Sequence, residues 1–117
     1  QNIYVDGLGI GDVGHVILRD RQKMNEEGVV VVVLSVDQHS GQLVSEVDLI
    51  SRGFVFEEEA QEILDRAKQV VKETVIKHSH KSSDWRFVRK MIEDDLEKYF
   101  YDTTERRPLI LPVVVET

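Results

Sequence analysis

Gly9, Gly11 and Gly14 stand in "GLGIGDVG" (residues 7–14) with the spacing G-x-G-x-x-G. A strand-like "NIYVD" precedes them, a helix-like "HVILRDRQKM" follows, and a β run further on ends in Asp37. Glycines so spaced let a backbone approach a pyrophosphate at a helix N-terminus, and a later carboxylate can hold a ribose. The chemistry on offer is a dinucleotide-binding oxidoreductase, with NAD or FAD on the 9–14 motif. A second constellation is His78 and His80 in "HSH", two imidazoles able to face one metal. The zinc pattern H-x-H-x-D-H fails, because "KSSDW" follows and Asp84 lies four residues past His80. The run Glu93, Asp94, Asp95 falls on a helical stretch and reads as a solvated face. No Ser or Thr stands in a nucleophile motif. The residues therefore assign no catalytic, cofactor-binding or metal-ligating position.

The elements around the glycines argue against a dinucleotide site. A Rossmann unit needs a second strand parallel to the first, followed by a crossover helix. Here "VVVVVLSV" (29–36) is followed by the turn cluster "DQHSGQ" (37–42) and a returning strand over 43–51. The pair reads as an antiparallel hairpin. "NIYVD" also carries Asn2 and Asp6, which a strand buried on both faces would not. The glycines read as a turn that needs positive φ or close backbone approach.

From Glu57 the apolar period becomes 3.6. Ala60, Ile63, Leu64, Ala67, Val70, Val71 and Val75 predict one helix. Glu57, Glu58 and Glu59 suit its first turn, and Lys72 and Lys77 its end. Ser83 is the expected cap of a second helix, with a buried stripe of Trp85, Val88, Met91 or Ile92, Leu96, Tyr99 and Phe100. "PLILPVVVE" (108–116) is a last strand, and Pro112 places it at an edge or a bulge. The expected fold is α+β: a small three-stranded sheet in the order β-β-α-α-β. Two helices pack on one face, and a short Gly-rich segment leads in. Both faces of 29–34 and 109–114 are apolar, so one face of the sheet is left without helices.

The 117 residues suit one domain, and the absence of cysteine excludes disulfides and thiolate metal sites. No stretch is long and apolar enough to predict a membrane span, and residue 1 is Gln, which points to a piece of a longer chain. A cytoplasmic location is the default. A formal charge of −7 argues against a nucleic-acid module, whose basic face releases phosphate counterions. The local exception is "ERR" (105–107), set against the plainer reading of solvated arginines before a strand.

Three blocks together, "NIYVDGLGIGDVGHVILRDR" (2–21), "DLISRGFVF" (48–56) and "RRPLILPVVVE" (106–116), resemble the carboxy-terminal end of bacterial ribonuclease J. The resemblance implies a parent enzyme of the metallo-β-lactamase/β-CASP class, using two zinc ions. It would cleave RNA internally and digest it from a 5′ monophosphate end. The metal motifs of that class lie upstream and have no counterpart here, so zinc belongs to the parent and the fragment is expected to be inactive alone. The resemblance makes residues 1–27 the tail of the catalytic module and linker, and 28–117 the C-terminal domain, with a role in assembly. The expected partners are a second copy, as a homodimer or higher homo-oligomer, and RNA through the parent catalytic module. Arg52, Arg106 and Arg107 are the candidate RNA contacts in this piece.

Overall fold

Five consecutive valines form a strand because β-branched side chains are stiff at χ1 and pack well on a pleated surface. In the computed structural model, which describes residues 2–5, 27–54, 57–78 and 84–117, the elements follow in chain order. They are β1 (Asn2–Val5), β2 (Val29–Val36), β3 (Asp48–Arg52), α1 (Glu57–His78), α2 (Trp85–Thr104) and β4 (Leu109–Glu116). The domain is α+β, and β2 to β4 run in the expected order β-β-α-α-β. The G-x-G-x-x-G run, the helix expected after it, His80 and Ser83 lie outside the described residues.

β2 and β3 pair antiparallel, with Val31 opposite Ile50 and Val33 opposite Asp48. β4 returns parallel to β2 after the two helices, with Val31 opposite Leu111. β1 pairs antiparallel with β4, Val5 opposite Val113, so a fourth strand extends the sheet to the order β1-β4-β2-β3. The strand in "NIYVD" is legible in the sequence. Its place beside β4 is a long-range pairing that no local pattern carries.

The β2–β4 ladder accommodates Pro112. Leu109 N donates to Gly28 O and Thr117 N donates to Val36 O, so odd residues of β4 turn their N–H groups toward β2. The ring nitrogen of Pro112 therefore faces away from β2, toward the side where β1 pairs with β4 over Val113–Glu116. The proline therefore removes no bond of the β2–β4 ladder.

β3 is shorter than the 43–51 expected. Val44, Ser45 and Glu46 are all exposed, which breaks the period of two. Val36 bridges Leu43 alone, Val47 plunges into the core, and regular pairing starts at Asp48.

The helices lie on one face. Val30, Val32, Leu34, Val36, Ile110 and Val114 point into a core with Ile63, Ala67, Val71 and Val75 of α1 and Val88, Ile92, Leu96 and Phe100 of α2. Phe54 joins them, its ring edge-on to Phe100 at 4.8 Å. Burying each Val, Leu, Ile or Phe side chain of this core stabilises by about 1.5–3 kcal/mol. The Tyr99 hydroxyl donates to Ile63 O at 2.9 Å and ties α2 to α1. The cap of α2 is Asp84, one residue later than Ser83: its carboxylate accepts from Arg86 N at 2.9 Å and the chain is helical from Trp85. α2 ends on Glu105, which takes the left-handed conformation at φ 59°.

Candidate functional site

The sheet face away from the helices carries the odd-numbered residues of β2 and β4. Cross-strand register sets them in rows. Ile50, Val31 and Leu111 form one row, and Val33 and Val113 belong to the next. Val31, Val33, Leu111 and Val113 are half-buried, whereas Ile50 is 46% exposed. Asp48 and Arg52, both exposed, flank Ile50 on the same face of β3. The uncovered apolar surface expected for this side thus concentrates at the β3 edge.

The three arginines have separate surroundings. Arg106 turns inward: its guanidinium donates to the carbonyls of Phe54, Gly53 and Glu27, and Nε lies 3.6 Å from Glu27 Oε2. It also sits over the Phe54 ring, 5.5 Å from the centroid. Arg107 lies over the Tyr101 ring at 4.4 Å, in a shallow hollow that also holds Asp94, Glu97, Lys98 and Asp102. Arg52 Nη1 donates to Ser51 O at 2.8 Å. Acidic neighbours surround Arg107 and carbonyls hold Arg106, so the arginines present no shared basic surface among these contacts.

Beneath Arg106, Gly28 (φ +87°) meets the 52–53 backbone closely: a Cβ on Gly28 would lie 2.6 Å from the Gly53 carbonyl. Gly28 takes a positive φ, which glycine adopts without steric cost. The close approach is not visible in sequence. Nor is the part played by Phe54, whose carbonyl Arg106 grips while its ring fills the core. Thr74, in the middle of an apolar stripe, is buried and donates to Asp95 Oδ2 at 2.6 Å.

Asp37 would be the ribose carboxylate of a dinucleotide site. Its Oδ1 instead accepts from His39 N and Ser40 N, both at 2.8 Å, and closes its own turn. Those two N–H groups, Ser40 first, hold its pKa below the usual carboxylate range. β2 then leads into an antiparallel hairpin rather than a crossover helix. His78 lies in the last turn of α1 with its ring edge-on to Phe87 at 5.7 Å. Among the described residues no three His, Asp or Glu side chains are placed to hold a metal ion, and no helix is long and apolar enough to cross a membrane. Zinc therefore finds no fitting donor set in these residues.

An apolar groove opens between the 42–46 segment and α1, lined by Leu43, Val44, Val75 and Ile76 and bridged by Lys72 Nζ to Glu46 Oε2 at 2.7 Å.

Known proteins resemble this chain over nearly its whole length. The profile of the ribonuclease J C-terminal domain matches residues 16–117. Ribonuclease J2 of Bacillus subtilis (strain 168) is 34% identical over 116 residues, 98% of this chain and 21% of that protein. Ribonuclease J 2 of Streptococcus pyogenes serotype M3 is 36% identical over 117 residues, 99% of this chain and 21% of that protein. Ribonuclease J 2 of Staphylococcus aureus (strain NCTC 8325) is 35% identical over 116 residues, with the same 98% and 21%. The chain spans about a fifth of the length of these curated relatives.

Proposed function

The chain belongs to the ribonuclease J C-terminal domain family, and from that premise we propose that it is the assembly domain of a cytoplasmic, zinc-dependent ribonuclease J and is non-catalytic by itself. The parent enzyme would cleave RNA internally and from a 5′ monophosphate end, with metal and RNA held by the catalytic module. The domain's part is to bring copies of that module together.

The observation that supports this reading is the sheet face away from α1 and α2, apolar in register across β3, β2 and β4 and ending in exposed Ile50. An apolar surface at a sheet edge, flanked by charge, is a common form of protein interface. The donor set supports the non-catalytic half. Hydrolysis by this class needs a metal-bound hydroxide, and the described residues offer no ligand cluster for one.

Gel filtration coupled to light scattering tests the assembly role. The expected result is a mass that rises to at least a dimer with concentration. A monomer throughout the range defeats the reading.

A further inference from the structure

We propose that β3 is a pairing edge for a second copy of this chain, joined antiparallel about a two-fold axis beside Ile50. This rests on the assembly reading and specifies where the copies meet.

The direction of the peptide groups follows from the ladder. Leu109 N and Thr117 N donate to Gly28 O and Val36 O, so even-numbered residues of β2 turn toward β4. Ser35 O accepts from Val44 N, so odd-numbered ones turn toward β3. Peptide groups alternate sides along a strand. Asp48, Ile50 and Arg52, opposite Val33, Val31 and Val29, therefore bond to β2. Leu49 and Ser51 turn their N–H and C=O groups outward. Among the described residues β3 is hydrogen-bonded to β2 alone. The outward Ser51 carbonyl is met by Arg52 of its own chain.

An outward row of this kind is a template for another strand. In one two-fold register Leu49 of each copy is hydrogen-bonded to Ser51 of the other, and Ile50 faces Ile50. The same register sets Asp48 of each copy opposite Arg52 of the other. These are non-hydrogen-bonded positions, where opposed side chains approach most closely. A slip of two residues either way puts Ile50 against Asp48 or against Arg52. The edge is thus self-complementary in hydrogen bonds, shape and charge in a single register. Arg52 leaves the Ser51 carbonyl to an incoming N–H and takes the opposing carboxylate. The two four-stranded sheets become one, with all helices on one side. The apolar row Leu111, Val31, Ile50 then continues through the axis into its mate.

The chain has no cysteine, so Ile50→Cys is a clean probe. Opposed non-hydrogen-bonded residues hold their Cα atoms about 4.5 Å apart, within disulfide reach. Oxidised Ile50→Cys is expected to run as a covalent dimer, and Val44→Cys, on an exposed loop, as a monomer. Asp48→Arg alone and Arg52→Asp alone each oppose like charges and should weaken the dimer roughly tenfold in sedimentation equilibrium. The double swap Asp48→Arg with Arg52→Asp should restore it. Circular dichroism of each variant confirms the fold, which these exposed positions tolerate. A wild-type chain that stays monomeric overturns the assembly reading and this proposal with it. A wild-type dimer that ignores both single swaps, with Ile50→Cys linking no better than Val44→Cys, overturns the edge alone.

Discussion

Arg106 holds Phe54 from two directions: its guanidinium donates to the Phe54 carbonyl and lies over the Phe54 ring, 5.5 Å from the centroid. The same guanidinium reaches Gly53 O and Glu27 O, so one side chain fastens the exit of β3, the entry to β2 and the approach to β4. A planar fork with several donors suits this task and an ammonium does not. Arg106→Ala leaves those carbonyls without their partner and should destabilise the domain by about 1–3 kcal/mol in denaturant melts. Arg106→Lys should recover only part of the loss. A melt of Arg106→Ala that overlays wild type would show that the clasp contributes nothing to stability.

Gly28→Ala should be as damaging as a core deletion. The added Cβ would meet the Gly53 and Arg52 carbonyl groups at 2.6–2.7 Å, and φ +87° disfavours any side chain. Backbone must shift on both sides, at about 2 kcal/mol or more. Gly41→Ala is the control: its φ is +72° but a Cβ there meets nothing within 4 Å. It should cost about 1 kcal/mol. Equal losses at the two sites would refute the close-approach account.

Glu105→Gly should stabilise. Glu105 ends α2 at φ 59° with its N–H donating to Tyr101 O, a geometry that glycine adopts without penalty. The gain, after the larger unfolded-state entropy of glycine, is roughly 0.5–1 kcal/mol. A lower midpoint in urea for Glu105→Gly would contradict this.

Acid should weaken the 37–42 turn and the start of α2. Asp37 accepts from Ser40 N and His39 N, and Asp84 accepts from the N–H and then the guanidinium of Arg86. Both folded pKa values are lowered as a result. A lowered folded pKa gives stability that is present above the unfolded carboxylate value and is lost as pH falls through the folded one. Melting temperature should therefore fall with pH through the acid range, and less steeply in Asp37→Asn with Asp84→Asn. Parallel pH profiles for wild type and the double variant would show that these carboxylates do not set the acid response.

RNA should bind the isolated chain weakly. The formal charge is −7, Arg106 is engaged with carbonyls and Arg107 lies among Asp94, Glu97 and Asp102. At moderate salt the dissociation constant should be no tighter than about 10⁻⁴–10⁻⁶ M. Incubation with 5′-monophosphorylated RNA and Zn²⁺ or Mn²⁺ should give no cleavage. Submicromolar binding in a gel shift, lost in Arg52→Ala with Arg107→Ala, would restore the arginines as an RNA contact. Metal-dependent cleavage that copurifies with the chain would refute the non-catalytic assignment.

Periodicity alone determined much of this protein. A β-branched run that is apolar on both faces over Val29–Leu34 specifies a strand, and the 3.6-residue stripes through Val71 and Leu96 specify two helices, because each pattern is a property of neighbours in the chain. Blocks at 2–21, 48–56 and 106–116 already resembled the right family. Tertiary structure decided what depends on residues far apart. Pairing with β1 makes β4 internal, and only the sheet tells that the nitrogen of Pro112 faces away from β2. Thr74 is polar by type, but Asp95 across the helix pair supplies an acceptor that lets it be buried. Arg106 reads in sequence as a basic residue free to meet a phosphate. In the fold three carbonyls from segments more than fifty residues away surround it, and buried or half-buried carbonyls take the donor that is nearest. Ile50 reads as one more apolar strand residue, and only the strand order puts it on the outermost strand of the described sheet, between Asp48 and Arg52. Side-chain chemistry and period are written locally; which polar group meets which, and which edge stays open, follow from long-range packing.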